Sequence, residues 1–223
     1  TLAADAVWKL IERECLNPKE IGRIYLGTES SVDAAKPTST YVLDLLERKL
    51  KVNYGPRSLS HCDVVDMTFA CVGAVDALQN SLDWVSIKKD RKAIVVASDV
   101  AKYSPTSSGE YTQGAGAVSM LLTKNPRILA LDSDFAVSIQ STGDFFKPRR
   151  SFKKLELLQE ASNLLGLEKL TDEVVKRLES KSDGFWGTPE NIIDQFLEFP
   201  IYDGPFSNEC YVSRVREALI RYE

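Results

Sequence analysis

The residue with the strongest chemical signal is Cys71, in the run FACVGA. The apolar stretch VVDMTFAC ends at this cysteine, and the helical pattern CVGAVDALQNSLDWVSI begins there. Free backbone N–H groups and the positive end of a helix dipole favour a thiolate at such a junction, and the N–H groups can also stabilise a thioester oxyanion. The small residues Gly73 and Ala74 leave room for a substrate at sulfur. Cys71 is therefore a candidate nucleophile, with a buried structural cysteine as the alternative interpretation.

A second candidate is Glu29, in the run GTESS that follows the strand-like stretch IGRIYL. A carboxylate at the end of a strand in an open α/β sheet lies where ligands usually bind. It could serve as a general acid or base where apolar surroundings favour its protonated form. A solvated loop carboxylate or a helix cap is the alternative.

A third region, GEYTQGAGA at residues 109–117, is rich in glycine. It has neither the GK[ST] ending of a phosphate loop nor the GxGxxG spacing of a dinucleotide site. We therefore expect a tight turn that leads into a closely packed strand, rather than a cradle for nucleotide phosphates.

The cysteine and histidine content argues against a metal site or a disulfide framework. The four cysteines, at positions 15, 62, 71 and 210, form no CxxC pair, and His61 is the sole histidine. This usage indicates reduced thiols in a reducing compartment. We expect His61 to be an ordinary polar surface residue.

Charge and hydropathy exclude two further classes of protein. The 28 Lys and Arg residues are scattered along the chain and are outnumbered by 32 Asp and Glu, so a nucleic-acid-binding surface is not expected. No apolar run approaches the roughly 20 residues that span a bilayer. The opening residues TLAADAVWKLIEREC predict an amphipathic helix rather than a signal peptide, so we predict a cytoplasmic protein with no membrane partner.

The elements that must position these residues alternate between helix and strand. Helices are predicted to about residue 17, over 36–50 and over 71–87, with a loop over 52–63. Strands are predicted over 21–26, 64–71, 92–101, 115–124 and 127–139. The order predicts an α/β domain with a mixed sheet packed between helices.

Composition changes after residue 150. Residues 151–198 are charged and amphipathic, and both halves of this segment are predicted to be helical. We therefore divide the chain into an α/β region at 1–150 that bears the nucleophile, a helical insertion at 151–198, and a return to the α/β region at 199–223.

Six segments occur in an order that resembles one family. They are GTESSVDAAKPTS, VDMTFACVGAVDALQ, AIVVASDVAKY, GEYTQGAGAVSMLL, DFFKP and FPIYDGPFSNECYV. Together they resemble hydroxymethylglutaryl-CoA synthase, a condensing enzyme of the thiolase superfamily in the mevalonate pathway of isoprenoid biosynthesis. The resemblance covers about 1–150 and 199–223, and it implies a thiolase-like fold.

The resemblance implies that Cys71 accepts an acetyl group from acetyl-CoA and that Glu29 removes a proton from the acetyl methyl group. The resulting nucleophile attacks acetoacetyl-CoA, and water then releases 3-hydroxy-3-methylglutaryl-CoA. Four further residues are implied to bind substrate or to orient the site: Asp99, Tyr103, Thr112 and Asp203. The CoA thioesters are substrates, and no metal or organic prosthetic group is implied.

The family also has a catalytic histidine, which we expect beyond residue 223, in a further segment or in a separate subunit. We therefore expect this chain to be a fragment that is catalytically incomplete alone, and the family implies a homodimer. Two alternatives stay open. One is a polyketide β-branching synthase that takes substrates from acyl carrier proteins, and the other is a non-catalytic thiolase-fold partner subunit.

Overall fold

The computed structural model describes residues 1–132, 134–166, 170–181, 192–196 and 198–222. The chain divides into two compact units. Residues 1–137, with the last residues from 218 onward, form the first, which we call the sheet unit. Residues 138–217 form the second, which we call the arm unit. The three segments proposed from composition, with boundaries after residues 150 and 198, stay a prediction.

The described residues up to 137 in the sheet unit form three α-helices and four strands, with two short 3-10 turns. In chain order they are α1 (Leu2–Arg13), β1 (Ile21–Gly27), α2 (Thr38–Tyr54), β2 (Asp63–Met67), α3 (Gly73–Ile87), β3 (Lys92–Ala101) and β4 (Gly114–Thr123). The strands form one sheet in the order β2-β1-β3-β4. The first three strands are parallel, and β4 pairs with β3 in the antiparallel direction. The predicted mixed α/β sheet is confirmed.

Helices cover both faces of this sheet because the side chains of its central strands alternate between two apolar clusters. On one face Ile24 and Leu26 of β1 pack in a cluster with buried residues of α1 and α2. On the other face Tyr25 of β1 and Val95 of β3 pack with Ala77 of α3. The sheet is therefore the middle of three layers, with α1 and α2 on one face and α3 on the other.

The arm unit is built on two short antiparallel ladders. Its strands are β5 (Phe145–Phe146), β6 (Arg149–Lys153), β7 (Ile192–Phe196) and β8 (Ile201–Tyr202), and β5 pairs with β8 while β6 pairs with β7. Two helices, α4 (Lys154–Leu164) and α5 (Asp172–Lys181), follow β6. The strands that precede α4 and α5 are thus paired with the strands that follow them, and α6 (Gly204–Tyr222) comes next.

Two predicted elements were wrong. No strand forms over the described part of 127–139, where Ile128 and Ile139 are 84% and 74% exposed. The apolar alternation there fits a strand, but a strand also needs a hydrogen-bonded neighbour, and the described chain pairs none with it.

The second half of 151–198 was predicted to be helical, but its described residues Ile192–Phe196 form β7. A short apolar run is compatible with either a helix or a strand, and pairing with β6 makes this run a strand. The remainder of that predicted helix, 182–191, lies outside the described residues.

Candidate active site

Cys71 lies in a sharp turn between the end of β2 and the start of α3. Its φ is +67°, a left-handed conformation that non-glycine residues rarely adopt. The turn is closed by N–H groups of Val72 and Gly73, which both donate to the carbonyl oxygen of Phe69, at 3.2 and 2.8 Å. The side chain of Cys71 is exposed. A strained strand-to-helix turn that presents an exposed nucleophilic atom is typical of a functional site.

The same hydrogen bonds limit how this turn could bind an oxyanion. The N–H groups of Val72 and Gly73 are already committed to Phe69. An oxyanion hole made by backbone N–H groups at this junction would therefore have to use other donors, or would require the turn to open.

The turn at Cys71 is packed directly against the end of β1. A Cβ atom added to Gly27 would overlap the backbone nitrogen and Cα of Ala74, and a Cβ added to Gly73 would overlap the carbonyl oxygen of Met67. Glycine at both positions allows the two backbones to approach this closely. Since Glu29 follows Gly27 by two residues, the structure brings the turn of Cys71 and the residues around Glu29 together.

Glu29 is the second residue of the connection between β1 and α2, residues 28–37, which we call the Glu29 loop. Its side chain is half-buried, and its Oε2 atom is shielded from solvent. The backbone N–H of Glu29 donates to Oδ1 of Asp99 at 2.7 Å. The carboxylate of Asp99, near the end of β3, therefore fixes the backbone that carries the Glu29 side chain.

Two hydroxyl groups that the sequence analysis did not single out complete this network. Thr28 and Ser30 each donate to Oδ1 of Asp99, at 2.8 and 3.0 Å. The Ser30 hydroxyl also accepts the N–H of Val100 at 3.0 Å. Hydroxyl residues flanking a loop carboxylate are a weak signal for such a network, because the same residues also favour ordinary turns.

Tyr103 and Thr112 share a second loop, between β3 and β4. The Tyr103 ring lies over Gly109, where an added Cβ would overlap the ring. The hydroxyl of Thr112 donates to the Gly109 carbonyl oxygen at 2.8 Å. Both side chains therefore hold the shape of this loop.

Asp203 belongs to the arm unit, at the start of α6. Its Oδ1 accepts the N–H of Phe206 at 3.0 Å, and its carbonyl oxygen accepts the N–H of Ser207 at 2.8 Å. The side chain of Asp203 thus caps the first turn of α6. The remaining predicted site residues lie in the sheet unit.

The other cysteines have different surroundings from Cys71. Burial of Cys62, assisted by the neighbouring Asp63 carboxylate, raises the pKa of its thiol to about 12, so it is almost entirely protonated at neutral pH. Cys15 is exposed and Cys210 is half-buried. The single histidine, His61, is exposed in the turn before β2.

The described part of the chain shows neither a metal-binding cluster nor a membrane-spanning helix. The His, Cys, Asp and Glu residues described there form no group of three or more that could hold a metal ion. None of the described helices combines the length and the hydrophobicity that a bilayer crossing requires.

The family model "Hydroxymethylglutaryl-coenzyme A synthase N terminal" matches residues 1–126. The hydroxymethylglutaryl-CoA synthase of Haloferax volcanii is 34% identical over 158 residues, which cover 70% of this chain and 34% of that protein. The chicken hydroxymethylglutaryl-CoA synthase, described as cytoplasmic, is 34% identical over 217 residues, which cover 96% of this chain and 31% of that protein. The chain therefore spans about a third of the length of these relatives.

Among solved structures, MvaS in complex with 3-hydroxy-3-methylglutaryl coenzyme A superposes with a TM-score of 0.67 and 27% identity, covering 97% of this chain and 39% of that one. The fold is that of the thiolase-like α/β proteins. Within that class, the chain belongs to the hydroxymethylglutaryl-CoA synthase family.

Proposed function

We propose that this chain carries the nucleophile and the general acid/base of a hydroxymethylglutaryl-CoA synthase, which condenses acetyl-CoA with acetoacetyl-CoA. The observation that carries the proposal is the close backbone approach of Gly27 to Gly73 and Ala74. This approach supports the proposal because it brings the turn that carries Cys71 against the end of β1, where the Glu29 loop starts. A carbon–carbon condensation on an enzyme thioester needs a thiol and a base as neighbours.

The first step transfers the acetyl group. The thiolate of Cys71 attacks the carbonyl carbon of acetyl-CoA, a C–S bond forms to Cys71, and the C–S bond to CoA breaks as the CoA thiolate leaves. A thiolate suits this step because it is both a strong nucleophile and a good leaving group. The exposed turn gives a large acyl donor access to the sulfur.

The second step forms the carbon–carbon bond. The Glu29 carboxylate takes a proton from the acetyl methyl group, which the thioester carbonyl makes acidic. The carbanion equivalent attacks the ketone carbon of acetoacetyl-CoA, and the ketone oxygen takes up a proton. Water then attacks the Cys71 thioester, so that 3-hydroxy-3-methylglutaryl-CoA and the free thiol of Cys71 are released.

The remaining site residues have supporting roles in this proposal. Asp99 holds the backbone of Glu29 through its hydrogen bonds. Tyr103 and Thr112 shape the loop before β4, where substrate binds. Asp203, which caps the first turn of α6, is proposed to bind substrate or to orient the site. These four assignments stay proposals.

The complete enzyme needs more than this chain in our proposal. A catalytic histidine comes from a further segment or subunit, since His61 is exposed in the turn before β2, at the opposite end of that strand from Cys71. We also propose a homodimer that uses free CoA thioesters as substrates and no metal or prosthetic group. A cytoplasmic location is supported by the description of the chicken relative.

The experiment that tests this function compares two acetyl donors. The purified protein, with and without the remaining segments of the enzyme, is incubated with acetoacetyl-CoA and either acetyl-CoA or an acetylated acyl carrier protein. We expect 3-hydroxy-3-methylglutaryl-CoA by mass spectrometry with acetyl-CoA as donor. Product with the carrier-protein donor alone would instead indicate a polyketide β-branching synthase. No product with either donor, even with the remaining segments present, would indicate a non-catalytic partner subunit.

A further inference from the structure

Asp66 makes a pair of hydrogen bonds that the proposed chemistry does not use. This half-buried residue of β2 accepts two backbone N–H groups from the start of α2. Its Oδ1 accepts the N–H of Ser39 at 2.9 Å, and its Oδ2 accepts the N–H of Thr38. One carboxylate on the strand therefore binds both of the first residues of the helix.

The start of α2 needs such an external acceptor. The residue at its N-cap is Pro37, whose side chain makes no capping hydrogen bond. The first N–H groups of a helix have no partner within the helix, and a negative charge is favourable at that end of the helix dipole. Asp66 thus supplies from a neighbouring strand the cap that the local sequence does not provide.

This cap also reaches the Glu29 loop. The hydroxyl oxygen of Thr38 accepts the N–H of Val32 at 3.0 Å, so the middle of the loop is tied to the first residue of α2. Asp66 holds that residue to β2, and β2 continues into the turn of Cys71. The loop is therefore anchored twice: by Asp99 near Glu29, and by Asp66 through Thr38 at its far end.

We infer that Asp66 is a positioning residue that fixes the Glu29 loop against the strand leading to Cys71. It acts through the backbone of Thr38 and Ser39 and does not contact substrate. Because it concerns the distance between the Cys71 thiol and the Glu29 carboxylate, this inference rests on the proposed function. Small displacements between reacting groups reduce rates strongly, so loosening this anchor should impair the step that uses both groups.

The first test measures hydrogen exchange of backbone amides, which needs no activity. In Asp66→Asn one acceptor is replaced by an amide NH2 group, so one of the two hydrogen bonds is lost. We expect exchange over the Glu29 loop, residues 28–37, to rise by about tenfold.

The matched control is Glu47→Gln, on the same helix. The carboxylate of Glu47 likewise accepts two backbone N–H groups, those of Ser58 at 3.1 Å and Leu59 at 2.5 Å. This change should raise exchange only over the turn at 55–62. Unchanged exchange over the loop in Asp66→Asn, or an equal rise there in Glu47→Gln, would overturn the inference whether or not the protein is active.

The second test separates the two chemical steps in the complete enzyme. Asp66→Asn should slow condensation of acetylated enzyme with acetoacetyl-CoA by about tenfold and acetylation of Cys71 by less than about threefold. Asp66→Glu, which keeps both acceptor oxygens, should recover most of the condensation rate. Glu47→Gln should leave the ratio of the two rates unchanged. Equal slowing of both steps in Asp66→Asn would mean that Asp66 only stabilises the fold, and it would overturn the inference. If the parent protein itself is not acetylated, that result would count against the proposed function instead.

Discussion

The sheet unit and the arm unit are stabilised in different ways. Among the described residues, every buried apolar side chain lies between Ala3 and Leu122, within the sheet unit. The described buried residues of the arm unit are instead polar or charged: Lys154, Ser162 and Ser207. The arm unit is held largely by its strand ladders and by polar contacts such as those of Arg149 and Ser151 with Asp194.

This difference shows where chemistry can be positioned accurately. Catalytic groups need support from side chains and backbone that cannot move easily, and a close-packed core provides it. Glu29 follows β1, whose apolar residues belong to that core, and Cys71 follows β2, whose partly buried apolar residues pack against it. The arm unit lacks such a core among its described residues, so we expect it to tolerate changes that the sheet unit does not.

The largest effect is expected at the general base. Glu29→Ala should lower the condensation rate by about 10³-fold, equivalent to about 4 kcal/mol, because no other group takes the methyl proton. Acetylation of Cys71 should be retained, since it precedes proton removal. Single-turnover kinetics that follow the two steps separately measure this, and an equally severe loss of acetylation would mean that Glu29 also activates the thiol.

The next effect is expected where the two backbones approach each other. Gly27→Ala should lower the free energy of unfolding by about 3 kcal/mol, because its methyl group would overlap backbone atoms of Ala74 that cannot rotate away. Gly116→Ala is the control, since a Cβ there meets no atom within 4 Å. Urea titration of both variants compares them. Equal stability of the two would contradict the close contact that brings Cys71 to the Glu29 loop.

A smaller effect, on the rate of labelling, distinguishes the half-buried thiol of Cys62 from the exposed thiol of Cys71. Because burial raises the pKa of Cys62 to about 12, its thiolate fraction is very small at pH 7 and rises about tenfold per pH unit up to that value. Iodoacetamide should therefore label Cys62 far more slowly than the exposed Cys71 at pH 7–9. Peptide mapping of the native protein measures both rates, and comparable rates would contradict the raised pKa of Cys62.

The smallest effect is expected in the arm unit. Lys153 and Ile192 are paired at the end of the β6–β7 ladder, so a two-residue Asn-Gly turn can replace residues 154–191. The unfolding free energy of the sheet unit should change by less than about 1 kcal/mol, because its buried apolar core is untouched. Calorimetry checks this, and a loss comparable to that of Gly27→Ala would remove the distinction between the two units.

The sequence alone predicted the features that depend on local pattern. A strand running into a helix at Cys71 and a carboxylate after an apolar strand are both visible within a dozen residues, and family resemblance added Asp99. The bonding partners of Asp99 and Asp66 were not predictable, because they join residues about 70 and 28 positions apart in the chain. Strand pairing is equally non-local, and so the run 127–139 was misassigned while β7 was missed.

The most direct test of the central claim is intact-mass analysis of the purified protein after incubation with acetyl-CoA, with Cys71→Ala and Cys62→Ala in parallel. We predict a gain of one acetyl group in the parent protein and in Cys62→Ala, and none in Cys71→Ala. An acetyl group that persists in Cys71→Ala, or that is lost in Cys62→Ala, would contradict the assignment of Cys71 as the acyl-carrying nucleophile.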